Sequence, residues 1–407
     1  MRILWVKAGK LLPVDSGGKI RSFNLLRHLA RQHRVTLLSY YGGNRDEEYE
    51  SAIERELPGA RTIHTAAPES TIVQSLDYIL RLPSPAPYAV RKFTDSAVRR
   101  EVERLLGEGR TDVAVCDFLS ASLNFPADSP TPVVLFQHNV ETMLWRRMAK
   151  TEKSPLRKAS YKIEARKMAS YEEGALRRFQ HVIAVSDTDR DEMLRLVPDC
   201  PITVVPTGVD TEKYKVVESA PGDPPIVVFT GSMDWEPNID AMEYFCQQIW
   251  PTILAEFPKA RFQIVGRTPH PRVRRLASES VEVTGSVPSV TDYLRLATVV
   301  VVPLRIGGGT RLKVYEAMAM GKALVSTSIG AEGLDFTDGR DLYIADDAKS
   351  FGTAILNLLR DPHLRRRCEV NAAALAARYD WSQIAHRFAQ VLEEAVVGQQ
   401  ASAISRS

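Results

Sequence analysis

The chain has 407 residues, and at roughly 100–200 residues per domain this length suggests two or three domains. Hydrophobic residues make up 44% and charged residues 25% of the chain, a composition that excludes collagen-like, low-complexity and fully disordered proteins. The balance of 53 Lys and Arg against 50 Asp and Glu gives a net charge of +3. Global charge therefore neither favours nor excludes a nucleic-acid partner.

The cysteines lie far apart and form no Cys-x-x-Cys pair, which indicates neither a zinc site nor a disulfide framework; they are Cys116, Cys200, Cys246 and Cys368. No apolar run approaches the roughly 18 residues of a membrane span. Lys7 and Lys10 interrupt the N-terminal apolar run before a signal-peptide core can form. We therefore expect a cytoplasmic protein.

In the first half, short apolar runs rich in Val and Ile alternate with segments of helical period. RILWVK predicts the first strand, a helix follows over about 19–32, and RVTLLSYY predicts the next strand. Further strands are predicted at TDVAVCD, TPVVLFQHN, HVIAVS and ITVVP, which are nearly continuous apolar runs. This alternation is typical of a parallel sheet flanked by helices, an α/β fold.

The Pro- and Gly-rich stretch PTGVDTEKYKVVESAPGDPP interrupts this pattern and predicts a domain boundary. Beyond it the alternation restarts, with strands at PIVVFTGS, ARFQIVGR, VEVTGSV, ATVVVVPL, KALVSTS and DLYIAD and with helices over about 239–257 and 312–320. An amphipathic helix is predicted over 381–396, followed by a frayed polar tail. We therefore expect domains over 1–210 and 211–380, and a C-terminal segment over 381–407.

The strongest functional pattern is a strand that runs through a glycine triplet directly into a helix, within PLRIGGGTRLKVYEAMAMGKALVSTSIGAEGL. The backbone amides of Gly307, Gly308 and Gly309 can approach a ligand closely. The N-terminus of the following helix favours an anion. Arg311 and Lys313 add positive charge in its first turn, so the pattern predicts a diphosphate site.

Three further features suggest ligand contacts. Glu316 lies at i, i+3 from Lys313, where its carboxylate could bind the vicinal hydroxyls of a ribose or simply pair with Lys313. Gly17 and Gly18 repeat the order of strand, glycine loop and helix near the N-terminus. His138 follows a buried strand within QHNVE and could exchange a hydrogen bond with a ligand near neutral pH.

In this order, SGG, QHNVE, VVPTGVD, VVFTGSMDWEPN, FQIVG, VTGSV, the GGGTRLKVYEAMAMGKALVSTSIGAEG segment and YDWSQIAHRFAQVL resemble the retaining glycosyltransferases of family four. The resemblance covers nearly the whole chain. It implies the GT-B architecture, in which two Rossmann-like domains face each other across a cleft and the last helix crosses back to the first domain. By this resemblance the first domain binds the acceptor and the second binds a nucleotide-sugar donor.

The same resemblance implies roles for individual residues. Gly17 and Gly18 match a loop over the donor phosphates, His138 matches a histidine near the donor sugar, and Glu316 matches the glutamate that holds the ribose. The backbone at Val287 matches a contact to the base. The remaining donor contacts that it implies lie at strand ends and in the glycine segment: Gly231, Ser232, Gly266, Gly307, Gly308, Gly309, Thr310, Arg311 and Lys313.

The chain departs from the family pattern at two places. The first glutamate of the family's paired-glutamate motif falls at Gly308, so its contact to the donor sugar cannot come from a side chain. The Arg and Lys that usually bind phosphate after the second domain's first strand are replaced by Ser232 and by Pro237 or Asn238. Arg311 and Lys313 are the predicted substitutes, and the sugar stays open.

The implied reaction transfers a hexosyl group from a nucleoside diphosphate sugar to an acceptor hydroxyl, with retention of anomeric configuration. His138, Arg311 and Lys313 are the candidate catalytic residues, with the two cations stabilising the leaving diphosphate. The acidic run DTDRDE is interpreted as a capped helix start with an acidic first turn, rather than as a metal site. We therefore expect no metal and no cofactor.

The acceptor is less specified. Residues 143–181 contain eleven Lys and Arg and four Glu, with aromatic residues between them. Such a segment could lie on an anionic membrane at the inner face of the plasma membrane or could be an ordinary solvated helix face. The resemblance favours a glycan or lipid-linked acceptor, as in polysaccharide biosynthesis, and nothing else supports a nucleic-acid partner.

Two other functions remain open at this stage. A UDP-sugar 2-epimerase could use the same architecture, with Asp15, Asp117 and Glu141 as its carboxylate candidates. A non-catalytic nucleotide-binding subunit could keep the fold without turnover, and the Gly308 departure motivates that alternative.

Overall fold

The computed structural model describes residues 1–66, 77–152, 154–216, 223–306 and 312–404, and in it the chain divides into two compact units. The first unit contains Met1–Pro206 together with the chain from Ile384 onward. The second unit contains Thr207–Gln383. Each unit is built on one parallel sheet with helices connecting its strands.

The first unit has a seven-stranded parallel sheet of order β3-β2-β1-β4-β5-β6-β7. Its strands are β1 Arg2–Ala8, β2 Arg34–Tyr41, β3 Arg61–His64, β4 Val113–Asp117, β5 Val133–Phe136, β6 His181–Ala184 and β7 Ile202–Val204. β4 and β5 are buried at every residue, as expected for central strands that are covered on both faces.

The helices of the first unit follow its strands in sequence. They are α1 Gly17–Leu29, α2 Glu47–Glu56, α3 Tyr88–Arg91, α4 Ser96–Gly107, α5 Glu141–Thr151, α6 Pro155–Arg178 and α7 Asp187–Leu196, with a 3₁₀ turn over Leu119–Asn124 and a helical stretch over 77–81. Ser186 caps α7 by accepting a hydrogen bond from the Asp189 amide (3.1 Å). The run DTDRDE is therefore a capped helix start, as predicted.

The second unit has a six-stranded parallel sheet of order β10-β9-β8-β11-β12-β13. Its strands are β8 Ile226–Thr230, β9 Arg261–Val265, β10 Val281–Gly285, β11 Val299–Val302, β12 Leu324–Ser326 and β13 Tyr343–Ile344. Its helices are α8 Glu236–Tyr244, α9 Trp250–Glu256, α10 Pro271–Arg274, α11 Val290–Leu296, α12 Leu312–Ala319, α13 Ala348–Arg360 and α14 Pro362–Ala377.

The last helix, α15 (Trp381–Ile404), joins the first unit from Ile384 onward. There Phe388 is fully buried, stacks on Trp5 with ring centroids 5.4 Å apart, and meets Phe136 edge-on at 5.1 Å. Two Rossmann-like domains with a helix that returns to the first are the architecture predicted from the sequence, and it is confirmed.

Three sequence-based expectations are corrected. The tail is helical to Ile404 rather than frayed from residue 398. The helix expected over 239–257 is interrupted by a π turn at Phe245–Ile249, because Pro251 lacks the N–H that would continue the hydrogen-bond ladder. The short edge strand β3 was not predicted, since Arg61 and His64 leave it no continuous apolar run.

In both sheets the strand order reverses direction beside the first strand, between β1 and β4 in the first unit and between β8 and β11 in the second. Such reversal points open a crevice at the carboxyl ends of the strands, where α/β proteins bind ligands. The residues at these two places are therefore the candidates for function.

Candidate functional site

The first candidate site lies at the β1/β4 reversal point and is called here the His138 cluster: Trp5, Lys7, Ser22, Asp117 and His138. Lys7 on β1 and Asp117 at the end of β4 are partners in the strand register. Ser22 comes from α1, and His138 follows β5. Parallel pairing thus brings together residues that are up to 133 positions apart, from Trp5 to His138.

The centre of the cluster is the Asp117 carboxylate, which is completely buried. Its Oδ2 accepts hydrogen bonds from Trp5 Nε1 (2.9 Å), Lys7 Nζ (3.0 Å) and Ser22 Oγ (2.6 Å). Its Oδ1 faces His138 Nε2 at 2.9 Å. A buried carboxylate requires such partners, because an unpaired charge in this environment would cost several kcal/mol.

The pKa values of both Asp117 and His138 are lowered, which leaves the carboxyl charged and the imidazole neutral. Burial alone would raise the pKa of Asp117, but the Lys7 ammonium and the hydrogen bonds from His138 and Ser22 hold it well below its usual range. Burial lowers the pKa of His138 to about 4, against the opposing effect of Asp117 and with the help of the Arg21 and Lys7 charges. At neutral pH the pair is therefore a carboxylate and a neutral imidazole.

Phe118 covers the imidazole. Its ring stacks on the His138 ring with centroids 3.7 Å apart and planes at 15°. Phe118 has a φ of 68°, a left-handed conformation that is strained for an aromatic residue. Gly18 makes room for this ring, because a Cβ there would lie 2.6 Å from Phe118 Cζ.

The second candidate site lies in the second unit, at the β8/β11 reversal point, and is called here the Lys313 cluster: Gly231, Ser232, Asn238, Gly266 and Lys313. Gly231 follows β8 and Gly266 follows β9. A Cβ on Gly266 would lie 1.6 Å from the Gly231 carbonyl oxygen. Only glycine allows the two loops to approach this closely.

Lys313, from the first turn of α12, extends to this glycine pair. Its Nζ donates to Asn238 Oδ1 (3.1 Å) and lies 4.2 Å from the centre of the Phe229 ring. The same Nζ is 2.8 Å from the position that a Gly231 Cβ would occupy. An ammonium group therefore stands beside partly buried backbone at the carboxyl end of β8, and such a cation is the chemistry that a phosphate group requires.

Ser232 lies at the edge of this cluster. Its hydroxyl donates to Asp234 Oδ1 (2.6 Å) and accepts from Arg267 Nε (3.1 Å). Sequence reasoning placed Ser232 where the resembling enzymes carry an arginine. In the structure Arg267, which follows Gly266, brings a guanidinium group to Ser232. This contact has no local sequence signal, because the two residues are 35 positions apart.

Glu316 lies one turn beyond Lys313 on α12 and is partly buried. Its Oε1 accepts a hydrogen bond from Tyr214 Oη at 2.9 Å. Burial raises the pKa of the Glu316 carboxyl, whereas the Tyr214 hydrogen bond and the Lys213 and Lys313 charges oppose the rise. Tyr214 was not singled out from the sequence, although it stands in the motif VVPTGVDTEKY.

Val287 follows β10 and is the chain neighbour of Ser286, which lines an open pocket of about 540 Å³. The pocket is formed by the loops that follow β9 and β10, and its lining includes Thr268, Pro269, Arg274, Thr284, Gly285 and Ser286. Thr268 has a φ of 52°, so a second strained residue lies at a strand end beside a candidate ligand site.

The structure therefore brings Gly18 to His138, and it brings Gly231, Ser232, Gly266 and Lys313 together. Gly17 begins α1 and is exposed. Gly307, Gly308, Gly309, Thr310 and Arg311 lie outside the described residues. Within the described part of the chain, His, Cys, Asp and Glu form no group of three that could hold a metal ion, and no described helix has the length and hydropathy to span a membrane.

Comparison with known proteins finds one matching domain model for most of each unit. The model described as Glycosyltransferase Family 4 matches residues 16–213. The model described as Glycosyl transferases group 1 matches residues 224–361. The phosphatidyl-myo-inositol mannosyltransferase of Mycobacterium leprae is 28% identical over 221 residues, which are 52% of this chain and 58% of that protein. The chain spans about half the length of the curated relatives it matches.

Solved structures share the fold over nearly the whole chain. Sucrose-phosphate synthase from Thermosynechococcus elongatus has a TM-score of 0.69 at 17% identity, covering 98% of this chain and 100% of that one. Anabaena Alr3699/HepE in complex with UDP has a TM-score of 0.65 at 15% identity, covering 97% and 100%. The same Anabaena protein is also known in complex with UDP-glucose. The chain therefore has a GT-B fold, and its two parts match the Glycosyltransferase Family 4 and the Glycosyl transferases group 1 models in that order.

Proposed function

We propose that the protein is a retaining glycosyltransferase that moves a hexosyl group from a nucleoside diphosphate sugar to an acceptor hydroxyl without a metal ion. The observation that carries this proposal is the Lys313 cluster. There an ammonium group stands beside the backbone of Gly231 and Gly266, where the strand order reverses between β8 and β11. The two matching domain models support it. The Anabaena structures with UDP and UDP-glucose favour a uridine nucleotide.

In this proposal the bond from the anomeric carbon to the diphosphate oxygen breaks, and the acceptor oxygen takes its place on the same face of the sugar. Negative charge grows on the departing diphosphate. Lys313 stabilises this charge in the transition state, together with Arg311 and the first amides of α12. Glu316 holds the ribose hydroxyls, and the loop at Val287 meets the base.

Calorimetric titration with UDP, GDP, ADP and dTDP in the presence of a metal chelator tests the donor site. We expect one nucleotide to bind without metal, and Lys313→Ala and Glu316→Ala to weaken its binding at least tenfold. Lys349→Ala, an exposed lysine of the same unit, is the matched control. Binding that requires a divalent cation, or that both variants retain, would contradict the assignment.

The alternatives make different products. A nucleotide-binding subunit would pass the titration but release no product from any sugar nucleotide. An epimerase would return an altered sugar nucleotide without an acceptor, and it needs a carboxylate base. Asp117 is unsuited to that task, because its low pKa and its contacts with Lys7 and Ser22 make it a poor proton acceptor. Product analysis by mass spectrometry, with anomeric configuration determined by NMR, separates the three functions.

For the acceptor, we propose a lipid-linked or polysaccharide glycan at an anionic membrane. A basic-apolar surface on the first unit supports this: it combines exposed cations with exposed apolar side chains, namely Arg146, Lys150, Arg157, Lys162, Arg166, Ile79, Leu80, Leu156 and Ile163. Leu156 and Leu80 are 86% and 79% exposed. The stretch 77–82 lies against α6, since Tyr78 Oη contacts Ser160 Oγ at 3.0 Å.

Apolar side chains surrounded by basic ones match the interfacial region of an anionic bilayer, where each cation contributes roughly 1 kcal/mol. The name of the mycobacterial relative, which includes a phosphatidylinositol, agrees with a lipid acceptor. Sedimentation with phosphatidylcholine vesicles, with and without phosphatidylglycerol, tests the surface. We expect salt-sensitive binding to the anionic vesicles only, lost with Leu156→Ser and Lys162→Glu but not with Val370→Ser, which changes an exposed residue of the second unit. Equal binding by all variants would refute the proposal.

A further inference from the structure

The buried Asp117 carboxylate offers each of its two oxygens to a different set of donors. Oδ2 accepts hydrogen bonds from the indole of Trp5, the ammonium of Lys7 and the hydroxyl of Ser22, and within the described residues Oδ1 is bonded only to His138 Nε2. Because a carboxylate has no proton to give, His138 Nε2 must carry the hydrogen of this bond.

The other ring nitrogen is therefore a hydrogen-bond acceptor. His138 is neutral at physiological pH, so a proton on Nε2 leaves Nδ1 with a free lone pair. Nδ1 is buried and has no hydrogen-bond partner among the described residues. It faces Gly18, and a Cβ at that position would lie 3.7 Å from it. An orphaned acceptor of this kind calls for a ligand that donates.

Phe118 packs on one face of that imidazole. Its stacked ring covers the imidazole, whereas Phe118 itself is partly exposed. The lone pair of Nδ1 lies in the plane of the imidazole, so the stacked ring covers a face of His138 and does not occupy this acceptor. The strained backbone of Phe118 holds the ring in this stacked position.

We propose that Asp117 is a positioning residue, which fixes His138 as a neutral acceptor at Nδ1 and so selects a sugar hydroxyl as the group that His138 binds. The inference rests on the proposed glycosyltransferase function. His138 accepts a hydrogen bond from the ligand and neither donates one nor carries a charge. Asp117, with Lys7 as its counter-ion, sets this state of the imidazole.

The Asp117→Asn variant tests this directly, because the three donors around the Oδ2 position determine the orientation of the asparagine amide. The amide oxygen has to face Trp5, Lys7 and Ser22, so the amide NH₂ faces His138 Nε2. Nε2 then becomes the acceptor, and the proton moves to Nδ1. Replacing one carboxylate oxygen of Asp117 by an NH₂ group therefore moves the imidazole proton of His138 from Nε2 to Nδ1.

The first readout is the tautomer, measured in long-range ¹H–¹⁵N spectra of the ¹⁵N-histidine-labelled full chain without substrate. His138→Gln identifies the His138 signals. We expect the Nε2–H form in the wild type and in Ser22→Ala, which removes one hydrogen bond from the same carboxylate, and the Nδ1–H form in Asp117→Asn. An Nδ1–H wild type, or an Asp117→Asn protein with the wild-type tautomer, would overturn the proposal whatever the reaction is.

The second readout is activity with the nucleotide sugar identified by titration. We expect kcat of Asp117→Asn to fall about 100-fold, a loss of the size expected when a buried hydrogen bond to the ligand is replaced by two facing donors. If the hydroxyl belongs to the donor sugar, both glycosyl transfer and slow hydrolysis of the donor by water will fall. If it belongs to the acceptor, only transfer will fall. Full activity with an inverted tautomer would refute the positioning role, whereas an inactive wild type with the expected tautomers would count against the proposed function alone.

Discussion

Phe118 offers a test of backbone strain at a single residue. At its φ of 68° an alanine is disfavoured by about 1 kcal/mol relative to glycine, because the left-handed region crowds a Cβ. Both substitutions remove the ring that stacks on His138. The difference between their free energies of unfolding therefore reports the backbone strain alone. We expect Phe118→Gly to be more stable than Phe118→Ala by about 1 kcal/mol in chemical denaturation.

Phe125 is the control for this comparison. It is also buried in the first unit, but its φ is −86°, where glycine has no advantage and loses more entropy on folding. There we expect the alanine variant to equal or exceed the glycine variant in stability. The same order at both positions would show that the Phe118 backbone is not strained.

Tyr214 gives a second residue-scale prediction, which concerns the donor site. Tyr214→Phe removes the hydrogen bond to Glu316 Oε1, and this bond helps keep the buried carboxyl ionised. We expect nucleotide affinity to fall about tenfold, the equivalent of roughly one hydrogen bond to a charged group. Because the pKa of Glu316 rises further without the tyrosine, the loss should be larger at pH 6 than at pH 8 in calorimetric titration.

Tyr343→Phe, in the same unit, is the matched control and should bind as the wild type does. A Tyr214→Phe protein whose loss of affinity is the same at both pH values would mean that Tyr214 orients Glu316 without affecting its ionisation. Unchanged affinity would remove Glu316 from the ribose site.

Sequence reasoning could single out His138, Lys313 and Glu316 as candidates, because each stands at a strand end or in the first turns of a helix after a glycine run. It could not find that Asp117 holds His138, or that Arg267 reaches Ser232. Those contacts depend on which strands are neighbours in the sheet, and the order of parallel strands leaves no local mark in a single sequence. Asp117 was considered only as a possible base, although its partners make it an anchor.

At the scale of elements, the N-terminus of α5 carries an acidic pair. Glu172 from α6 caps this helix, accepting from the amides of Glu141 and Thr142 at 2.9 Å each. Burial and the nearby Glu172 charge raise the pKa of Glu141 to about 7. Between the ordinary pKa of a glutamate and pH 7, Glu141 is therefore protonated in the folded protein and ionised in the unfolded chain. The free energy of unfolding falls as the pH rises through this range.

Glu141→Gln should remove this penalty, because the amide is neutral at every pH. We expect the variant to gain stability over the wild type between pH 5 and pH 8, by up to about 2 kcal/mol once partial exposure is allowed for. Denaturant unfolding at the two pH values measures it. Glu103→Gln, at an exposed position of α4, is the control, and its stability relative to the wild type should not change with pH. A stability difference between Glu141→Gln and the wild type that is the same at both pH values would contradict the ionisation of Glu141 as the cause.

Most of the strands that sequence reasoning located carry nearly continuous apolar runs, because burial on both faces demands it. It failed for β3, which lies at the sheet edge and needs less apolar surface. It also merged α8 and α9, since the hydrophobic period continues across Phe245–Ile249 while the hydrogen-bond pattern changes there. Periodicity reports which face is buried and carries little information on the local backbone geometry.

At the scale of the whole molecule, the C-terminal helix ties the end of the chain to the core of the first unit. Phe388 is fully buried there between Trp5 and Phe136. Truncation to alanine leaves a cavity beside two aromatic rings, at a typical cost of about 3–5 kcal/mol. We expect Phe388→Ala to lower amide-exchange protection in β1, β4 and β5 while leaving β8, β9 and β11 in the second unit as protected as in the wild type.

Hydrogen exchange followed by mass spectrometry is the appropriate measurement, because a two-unit protein need not unfold in a single transition. Val397→Ala changes an exposed residue of the same helix and should alter protection by no more than about 0.5 kcal/mol. If Phe388→Ala lowered protection equally in both units, the units would unfold together, and the helix would stabilise the whole chain. If it lowered protection in neither, the helix would contribute nothing to the core it covers, and burial of Phe388 could not explain why the end of the chain returns to the first unit.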